Sequence, residues 1–524
     1  MPGAAQPAKA DMHIESLPPE RPAVDAGEAA SASDVINRAQ LLVQGIFHYA
    51  GQVATLISGV VLVPLMLNHL GPEMYGLWVL AFSIPGFVVG LDTIVYFPVV
   101  REVASHRDCI PETTRRFLSA CCGVYFCSGA VCALMTLTVG PAVTRHLHLS
   151  ATTRAAIPAV LSAVAVSLVA ARLTGFATAV LSGRQMFHVL NSISIAVLIV
   201  RTSVFIFLLL HGQSLILIAI SYAAFSIVEA TIALGFTYRL GAFRLSRILL
   251  EWNRLREIGE FGVTSFLATL VQNVFWFSPQ LLVGLLSGNT SANAALYAGQ
   301  RPCFAVSDLN WRGADVIFAA SASEDAEKGK ERISELLDFG SKNVLAIALP
   351  LAVGLFLFAP VLVRVWLGAA APLTANIMRL TSAGVVAEAL WVGPLHVLWA
   401  LGRARKVLFI FVWMTSASLA INLVVIHWLG PVGAALTFSV TASLGAILAA
   451  TAVAGELGIS WRRCLLRPLA ELTTPILLLT GYSLAVLLLS SNPWVTLFSG
   501  AAGGALYAIL FVIKQRKTLP SSKG

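Results

Sequence analysis

The chain has 524 residues, of which 57% are hydrophobic and 12% are charged, about half of the ~25% charged share of a typical soluble domain. Its formal net charge is +9, from 35 Lys and Arg against 26 Asp and Glu. This composition excludes a soluble enzyme, a disordered protein and a fibrous repeat, because no single soluble fold buries so much apolar sequence. We expect an all-α polytopic membrane protein, since a helix satisfies all of its own backbone groups in lipid.

Both ends of the chain are hydrophilic. Residues 1–36 hold five prolines and six acids but no apolar run of seven, which predicts a disordered cytosolic tail and no secretory signal peptide. Residues 515–524 form a short basic tail. Residues 238–260 place apolar side chains on one helical face and arginines on the other, which predicts a cytosolic linker helix at the membrane surface.

Between the tails, apolar stretches long enough to cross a bilayer alternate with short hydrophilic segments. They predict about 14 transmembrane helices, numbered here as spans one to fourteen. The spans are approximately 41–67, 77–100, 117–139, 155–181, 188–210, 214–237, 261–285, 293–319, 341–366, 374–400, 407–428, 432–454, 468–490 and 495–513.

The positions of Lys and Arg test this count independently, because short cytosolic loops are enriched in both residues. With the N-terminus in the cytosol, the inner segments carry 27 of the 35, and the outer loops carry only Arg145 and Arg154. Deleting span eight would place the basic segments after it outside, so we expect span eight to cross. Both termini are then cytosolic, and topology rather than nucleic-acid binding explains the positive charge.

Span eight carries ionisable residues on one face. At about 100° per residue, Arg301, Asp308, Arg312 and Asp315 fall within about 60°, and Tyr297 joins them. Such residues face protein or water, not lipid. They are either ion pairs with a neighbouring helix or the lining of a hydrophilic lumen, and we predict the lumen.

Other spans add polar and aromatic candidates for the lumen. Span seven contributes Gln272 and Trp276, span ten contributes Glu388 and Trp391, and Arg201 lies close to the middle of span five. Indole rings beside polar groups suit stacking on sugar rings, although packing or interfacial anchoring explains them equally well. The arginines of spans five and eight are the candidates for holding a phosphate, because the guanidinium fork matches its oxygens.

The sequence predicts no catalytic centre, metal site or cofactor. Cys121, Cys122, Cys127 and Cys132 share one apolar segment, which indicates small packing residues rather than disulfides or metal ligands. No phosphate-binding loop of the Walker type is present, since Gly329-Lys330 is followed by Glu.

Several short motifs resemble the multidrug/oligosaccharidyl-lipid/polysaccharide exporter superfamily, and most closely its polysaccharide branch, the Wzx-type O-antigen and exopolysaccharide repeat-unit flippases. Residues 70–78 (Leu-Gly-Pro-Glu-Met-Tyr-Gly-Leu-Trp) are similar to the family's turn after span one. Residues 255–262, 398–403 and 429–435 resemble the family's entry to span seven, exit from span ten and entry to span twelve. Residues 181–191 echo the turn between spans four and five.

This resemblance implies two six-helix lobes around a central cavity, followed by two additional helices. The lobes would be 37–237 and 261–454, joined by the linker 238–260, and the additional helices would lie in 455–514. The resemblance also implies an undecaprenyl-diphosphate-linked oligosaccharide as substrate, moved to the outer leaflet of the bacterial inner membrane for surface polysaccharide biosynthesis. Implied partners are the phospholipid bilayer, a polysaccharide polymerase and chain-length regulators, with no nucleic acid.

One departure from the family pattern and two rival functions accompany this prediction. Asp92 lies where relatives carry a Leu-Asp-x-Gly-Leu pattern, and the Gly is missing. Residues 41–69 contain no Asp or Glu, which disfavours a drug exporter that relies on an acid in its first span. An ion-coupled drug or metabolite antiporter stays open, because Glu388 or Asp308 could titrate. A polyprenyl-sugar polymerase or ligase is disfavoured by outer loops of only about 3–15 residues.

Overall fold

The computed structural model describes residues 26–88, 90, 93–106, 110–242, 252–322, 329–368 and 371–518. Within these ranges the chain is all helical apart from short connections, which confirms the all-α prediction. The helices are α1 Ala26–Gly86, α2 Thr93–Ser105, α3 Glu112–Arg145, α4 Ala151–Gly183, α5 Phe187–Leu210, α6 Leu215–Arg239, α7 Trp252–Ser287, α8 Thr290–Ala322, α9 Lys330–Leu367, α10 Pro372–Ala400, α11 Ala404–Leu429, α12 Pro431–Leu457, α13 Trp461–Leu489 and α14 Pro493–Thr518.

Helix α1 consists of two helices joined by a kink, which correspond to span one and to the first ten residues of span two. They meet at Gly71, whose φ of +80° lies in the left-handed region that glycine adopts without a Cβ clash, and Pro72 follows. Span two continues from α1 into α2 across a break in the helix. From α3 onward, each predicted span lies in the helix with the same number.

By length and apolar composition alone, twelve segments of the described chain qualify as membrane spans. One of them, Ala54–Gly86, covers parts of predicted spans one and two, because α1 comprises two helices joined at the kink. Helix α8 is not among the twelve, because it is less apolar than they are, with Asn293, Gln300 and Asn310 in addition to the ionisable residues of the predicted stripe. The chain is therefore a multi-pass helical membrane protein.

The helix ends differ from the expected tails and linker. Helix α1 begins at Ala26, inside the predicted tail 1–36, and residues 1–25 lie outside the described residues. Helix α7 begins at Trp252, inside the predicted linker 238–260. Most of the rest of that linker, Asp92 and residues 519–524 also lie outside the described residues.

The helices pack in two groups. In the first group α4 packs on α3 and α6, and α1 packs on α5; in the second, α10 packs on α8, α9 and α12, and α7 packs on α11. Contact between the groups is made mainly by α1 with α7 and α8, and by α2 with α7. Helices α13 and α14 pack on α9. The assignment of two six-helix lobes stays a prediction.

Hydrogen bonds hold the helices together at the end of the bundle that carries the predicted outer loops. The Ser150 backbone N donates to Glu73 Oε1 over 2.7 Å, and Thr290 Oγ1 donates to the Glu73 carbonyl over 2.8 Å. The His148 backbone N donates to the Gly288 carbonyl over 2.8 Å. Glu73 thus joins α1 both to the loop before α4 and to the start of α8.

Ion pairs hold α13 on α9 at the opposite end. Asp338 Oδ2 accepts from Arg463 Nε and Nη2 at 2.9 and 2.7 Å and from Arg467 Nη1 at 2.8 Å. Lys342 also pairs with Glu471. Asp338 is only 17% exposed, so this pairing is more than a solvated surface contact.

Candidate functional site

A cavity of about 650 Å³ lies between α1, α5, α6, α7 and α8. Its wall has 22 residues, of which ten are aromatic and seven are polar. The aromatic residues are Tyr75, Trp78, Phe82, Phe205, Tyr222, Trp276, Phe277, Tyr297, Phe304 and Trp311. The polar residues are Ser58, Ser83, Arg201, Gln280, Arg301, Ser307 and Asp308. A wall that combines apolar surface with a limited number of converging polar groups is typical of a ligand site.

Two arginines reach the cavity from α5 and α8, which both pack on α1. Arg301 of α8 lies against Gly59, where a Cβ would come within 3.0 Å of the guanidinium Nε. Beside it, Ser58 Oγ and Thr202 Oγ1 are hydrogen-bonded at 2.8 Å, which joins α1 to α5 next to Arg201. Residues 58 and 59 of α1 therefore lie close to both helices that carry the cationic side chains.

The surroundings of these two arginines leave their charges available. Arg201 stacks on the Tyr222 ring, with its Cζ 4.9 Å from the ring centroid. Tyr222 in turn packs edge-on against Trp78 and Phe82 at 5.4 and 5.3 Å. In the described part of the chain, no carboxylate lies within 4.0 Å of Arg201 or Arg301. The cavity therefore presents two fixed cations to an anionic ligand.

Four of the nine residues proposed from the sequence line this cavity: Arg201, Trp276, Arg301 and Asp308. Gln272 is partly buried on α7 and is not on its wall. Trp391 is 0% exposed and packs in the core against Trp311 and Phe411. Glu388 is also 0% exposed and lies behind the wall, where it bonds to side chains of α8.

The polar stripe of α8 divides along its length. Arg301 and Asp308 line the cavity, whereas Arg312 and Asp315 do not. Arg312 Nη1 lies 3.9 Å from Asp315 Oδ2, whose other oxygen lies 3.4 Å from His396 Nε2 of α10. The lumen interpretation thus describes the first half of the stripe, and the ion-pair interpretation describes the second.

Sequence reasoning missed several residues of the cavity wall. Ser307 and Trp311 lie on the flank of the same α8 face and follow from the helical period once the cavity side is known. Trp78 and Tyr222 come from α1 and α6, where the sequence shows no stripe of ionisable residues like that of α8. Gln280 lies on α7, and its Nε2 is 3.4 Å from Gln300 Oε1.

A second cavity of about 890 Å³ lies on the other side of α8, against α9, α13 and α14. Helix α8 contributes Pro302, Ala305, Val306 and Leu309 to it. Its wall is almost entirely apolar. Helix α8 therefore presents a polar and aromatic face to one cavity and an apolar face to the other.

Within the described residues, no group of three or more His, Cys, Asp or Glu side chains is arranged to hold a metal ion. The six cysteines described are free. The site is thus built from aromatic rings, two arginines and hydroxyl or amide groups.

A family model described as "Polysaccharide biosynthesis protein" matches residues 70–370, more than half of the chain. The chain belongs to this polysaccharide biosynthesis protein family. A curated relative from Shigella flexneri, named "Putative O-antigen transporter", is 21% identical over 419 residues, covering 78% of this chain and 95% of the relative.

The fold of this polysaccharide biosynthesis protein is shared with solved transporters. The lipid II flippase MurJ in an inward closed conformation is similar with a TM-score of 0.68 and 14% identity, over 91% of this chain and 100% of that one. The MATE multidrug transporter DinF-BH has a TM-score of 0.62 and 12% identity, over 80% of this chain and 97% of that one.

These findings confirm the exporter superfamily and its polysaccharide branch. The similar proteins are transporters and flippases rather than enzymes, as the sequence predicted.

Proposed function

We propose that the protein moves a lipid-linked oligosaccharide, carried on undecaprenyl diphosphate, from the cytosolic to the outer leaflet by alternating access. The observation that carries this proposal is the pair of arginines, without carboxylate partners among the described residues, in an aromatic cavity beside an apolar one. The Shigella relative's name supports a polysaccharide substrate.

The diphosphate is assigned to Arg201 and Arg301. A guanidinium donates two parallel hydrogen bonds to phosphate oxygens, and a cation without a carboxylate partner need not break an ion pair first. Gly59 leaves room for the Arg301 side chain against α1. Asp308 lies on the same wall and limits the positive charge, so the cavity is mixed rather than strongly cationic.

The aromatic wall suits the sugar. A sugar ring has an apolar C–H face and a rim of hydroxyls, so it matches flat aromatic rings interspersed with hydrogen-bonding groups. Trp276 is held by edge-on contacts with Phe275 and Phe304 at 5.4 and 5.5 Å, which fixes its orientation.

The apolar cavity beside α9, α13 and α14 suits the polyprenyl chain. Burying each CH₂ contributes about 0.8 kcal/mol, so a long isoprenoid gains from a groove that excludes water. With the tail there, the charged and hydroxylated parts of the same lipid would lie on the opposite face of α8.

The cellular setting follows from the same proposal. The positive-inside bias supports cytosolic termini, and a polysaccharide precursor made in the cytosol supports the bacterial inner membrane. Polysaccharide polymerase and chain-length regulators would use the product on the outer side. No nucleic acid is involved.

An ion-coupled drug or metabolite antiporter is the second candidate. The fold shared with MATE transporters supports it, as do the cavity carboxylate Asp308 and the buried Glu388. Asp308→Asn and Glu388→Gln would abolish efflux-based resistance if this candidate is correct. Unchanged resistance combined with measurable lipid flipping would reject it.

The decisive experiment is flipping of fluorescent undecaprenyl-diphosphate oligosaccharide in proteoliposomes. We expect Arg201→Ala/Arg301→Ala to reduce the rate at least about tenfold, because each charge-assisted hydrogen bond contributes about 1.5–3 kcal/mol. Arg312→Ala is the matched control, since it removes a guanidinium from the same helix outside the cavity. Protein-dependent flipping retained in the double variant would move the phosphate site elsewhere, and no flipping by folded wild type would overturn the function.

A further inference from the structure

Glu388 lies behind the wall of the polar cavity rather than on it. Its Oε1 accepts hydrogen bonds from Ser307 Oγ and Trp311 Nε1, both at 2.8 Å, and its Oε2 lies 3.5 Å from Asn310 Nδ2. All three partners donate, and all three belong to one turn and a half of α8. A carboxyl group buried inside a membrane protein is costly, so its presence points to a functional role.

Two of these partners, Ser307 and Trp311, line the polar cavity. Because their hydrogens point at Glu388, neither side chain offers a donor to the cavity. Trp311 presents ring carbon surface there, and the Ser307 oxygen keeps acceptor capacity. This part of the wall therefore complements a ligand that has an apolar face and hydroxyl donors.

The indole of Trp311 is also held from other sides. Trp391 packs against it edge-on at 5.7 Å and 86°, and His396 at 5.4 Å and 67°. Trp399 lies at 6.3 Å. With its N–H bonded to Glu388 and its edges packed, the ring has one orientation before any ligand arrives, which lowers the entropic cost of binding.

Trp311 lies away from Arg301 along the same helix. Ten residues separate it from Arg301, which corresponds to about 15 Å of α8. A ligand group that stacks on Trp311 is therefore different from the group held by Arg301.

We propose that Trp311 is the stacking platform for a sugar ring of the translocated lipid, and that Glu388 is the positioning residue that holds it. This inference rests on the proposed function and assigns the sugar to a subsite separate from the diphosphate. Glu388 acts through the indole and the Ser307 hydroxyl, without touching the ligand.

The test compares binding of two probes to the purified full chain: undecaprenyl diphosphate and the same lipid bearing an oligosaccharide. We expect the wild type to prefer the sugar-bearing lipid, and Trp311→Ala to reduce that preference about tenfold with bare-lipid binding unchanged. A preference unchanged in Trp311→Ala overturns the subsite. Failure of the wild type to bind either lipid instead overturns the proposed function.

The role of Glu388 is tested in the same assay. Glu388→Leu removes both acceptor oxygens and is expected to reduce the sugar preference as Trp311→Ala does, whereas Glu388→Gln keeps one acceptor and retains most of it. Trp311→Phe keeps a ring but cannot donate, so adding Glu388→Leu to it should cause little further loss.

Additive losses in the Glu388→Leu/Trp311→Phe pair, or equal losses for both lipids, would contradict positioning through the indole. Trp413→Phe is the matched control, because Trp413 is 53% exposed on the outer surface of α11. Gel filtration in detergent checks that each variant is folded, and Glu388→Gln keeps the test informative where Glu388→Leu does not fold.

Discussion

At the scale of single residues, the lack of a side chain at Gly59 makes room for a cation of the site. Its position in α1 leaves the space that the Arg301 guanidinium occupies. The sequence predicted Arg301 from its place in a polar stripe, but it did not predict this role of Gly59. That contact joins α1 and α8. Which helices pack against each other does not follow from the hydrophobic periodicity of either sequence segment.

Gly59→Ala is expected to weaken binding of undecaprenyl diphosphate by about three- to tenfold. The added methyl group would lie 3.0 Å from Arg301 Nε and 3.3 Å from Nη2, so the guanidinium has to move. Affinity for the bare lipid, measured in detergent micelles, checks this. Gly235→Ala is the control, because a Cβ there meets no atom within 4 Å. Equal affinities of the two variants would show that Arg301 does not hold the phosphate.

At the scale of helices, sequence analysis was strongest where one element decides the outcome. The period of α8 placed Arg301 and Asp308 on a common face, and both line the cavity. It could not show that Asp315 turns to His396, because that partner lies on α10. Trp391 satisfied the same helical criterion as Trp276 but is fully buried, since periodicity does not distinguish a cavity from a packed neighbour.

The ion pairs at Asp338 give a prediction about how α13 is attached. Asp338→Asn should lower the free energy of unfolding by about 1–3 kcal/mol, because Arg463 and Arg467 both lose a charged acceptor. The midpoint of thermal unfolding in detergent measures the effect. Glu335→Gln, in an exposed pair with Arg332, should change it little. A midpoint for Asp338→Asn equal to that of Glu335→Gln would show that α13 is held by apolar packing alone.

At the scale of the whole molecule, the hydrogen bonds around Glu73 and Thr290 join the two groups of helices at the predicted outer end. The sequence predicted the turn at 70–78 and both helix ends, but it contained no signal for their contact across more than two hundred residues. Which end of the bundle is shut is a property of tertiary structure, and the spans alone are compatible with either state.

Gly76→Ala tests whether this contact belongs to the transport cycle. A Cβ at Gly76 would lie 1.8 Å from the Thr290 carbonyl oxygen, so α1 and α8 have to separate. We expect flipping to fall at least about tenfold with lipid binding retained. Spin labels at Asn68 and Asn289 should report a longer distance. Gly481→Ala, which meets no atom within 4 Å, is the control. Wild-type flipping with a widened distance would show that outer closure is dispensable.

If the cargo occupies both cavities as proposed, the position of α8 between them sets a minimum length for that cargo. A helix with its side chains is about 10–12 Å thick, so a molecule that occupies both cavities at once has to reach around at least that thickness. It must also be hydrophilic at one end and hydrophobic at the other. A compact drug-sized molecule fits into one cavity and leaves the other empty. The fold would thereby select its cargo by molecular length as well as by polarity.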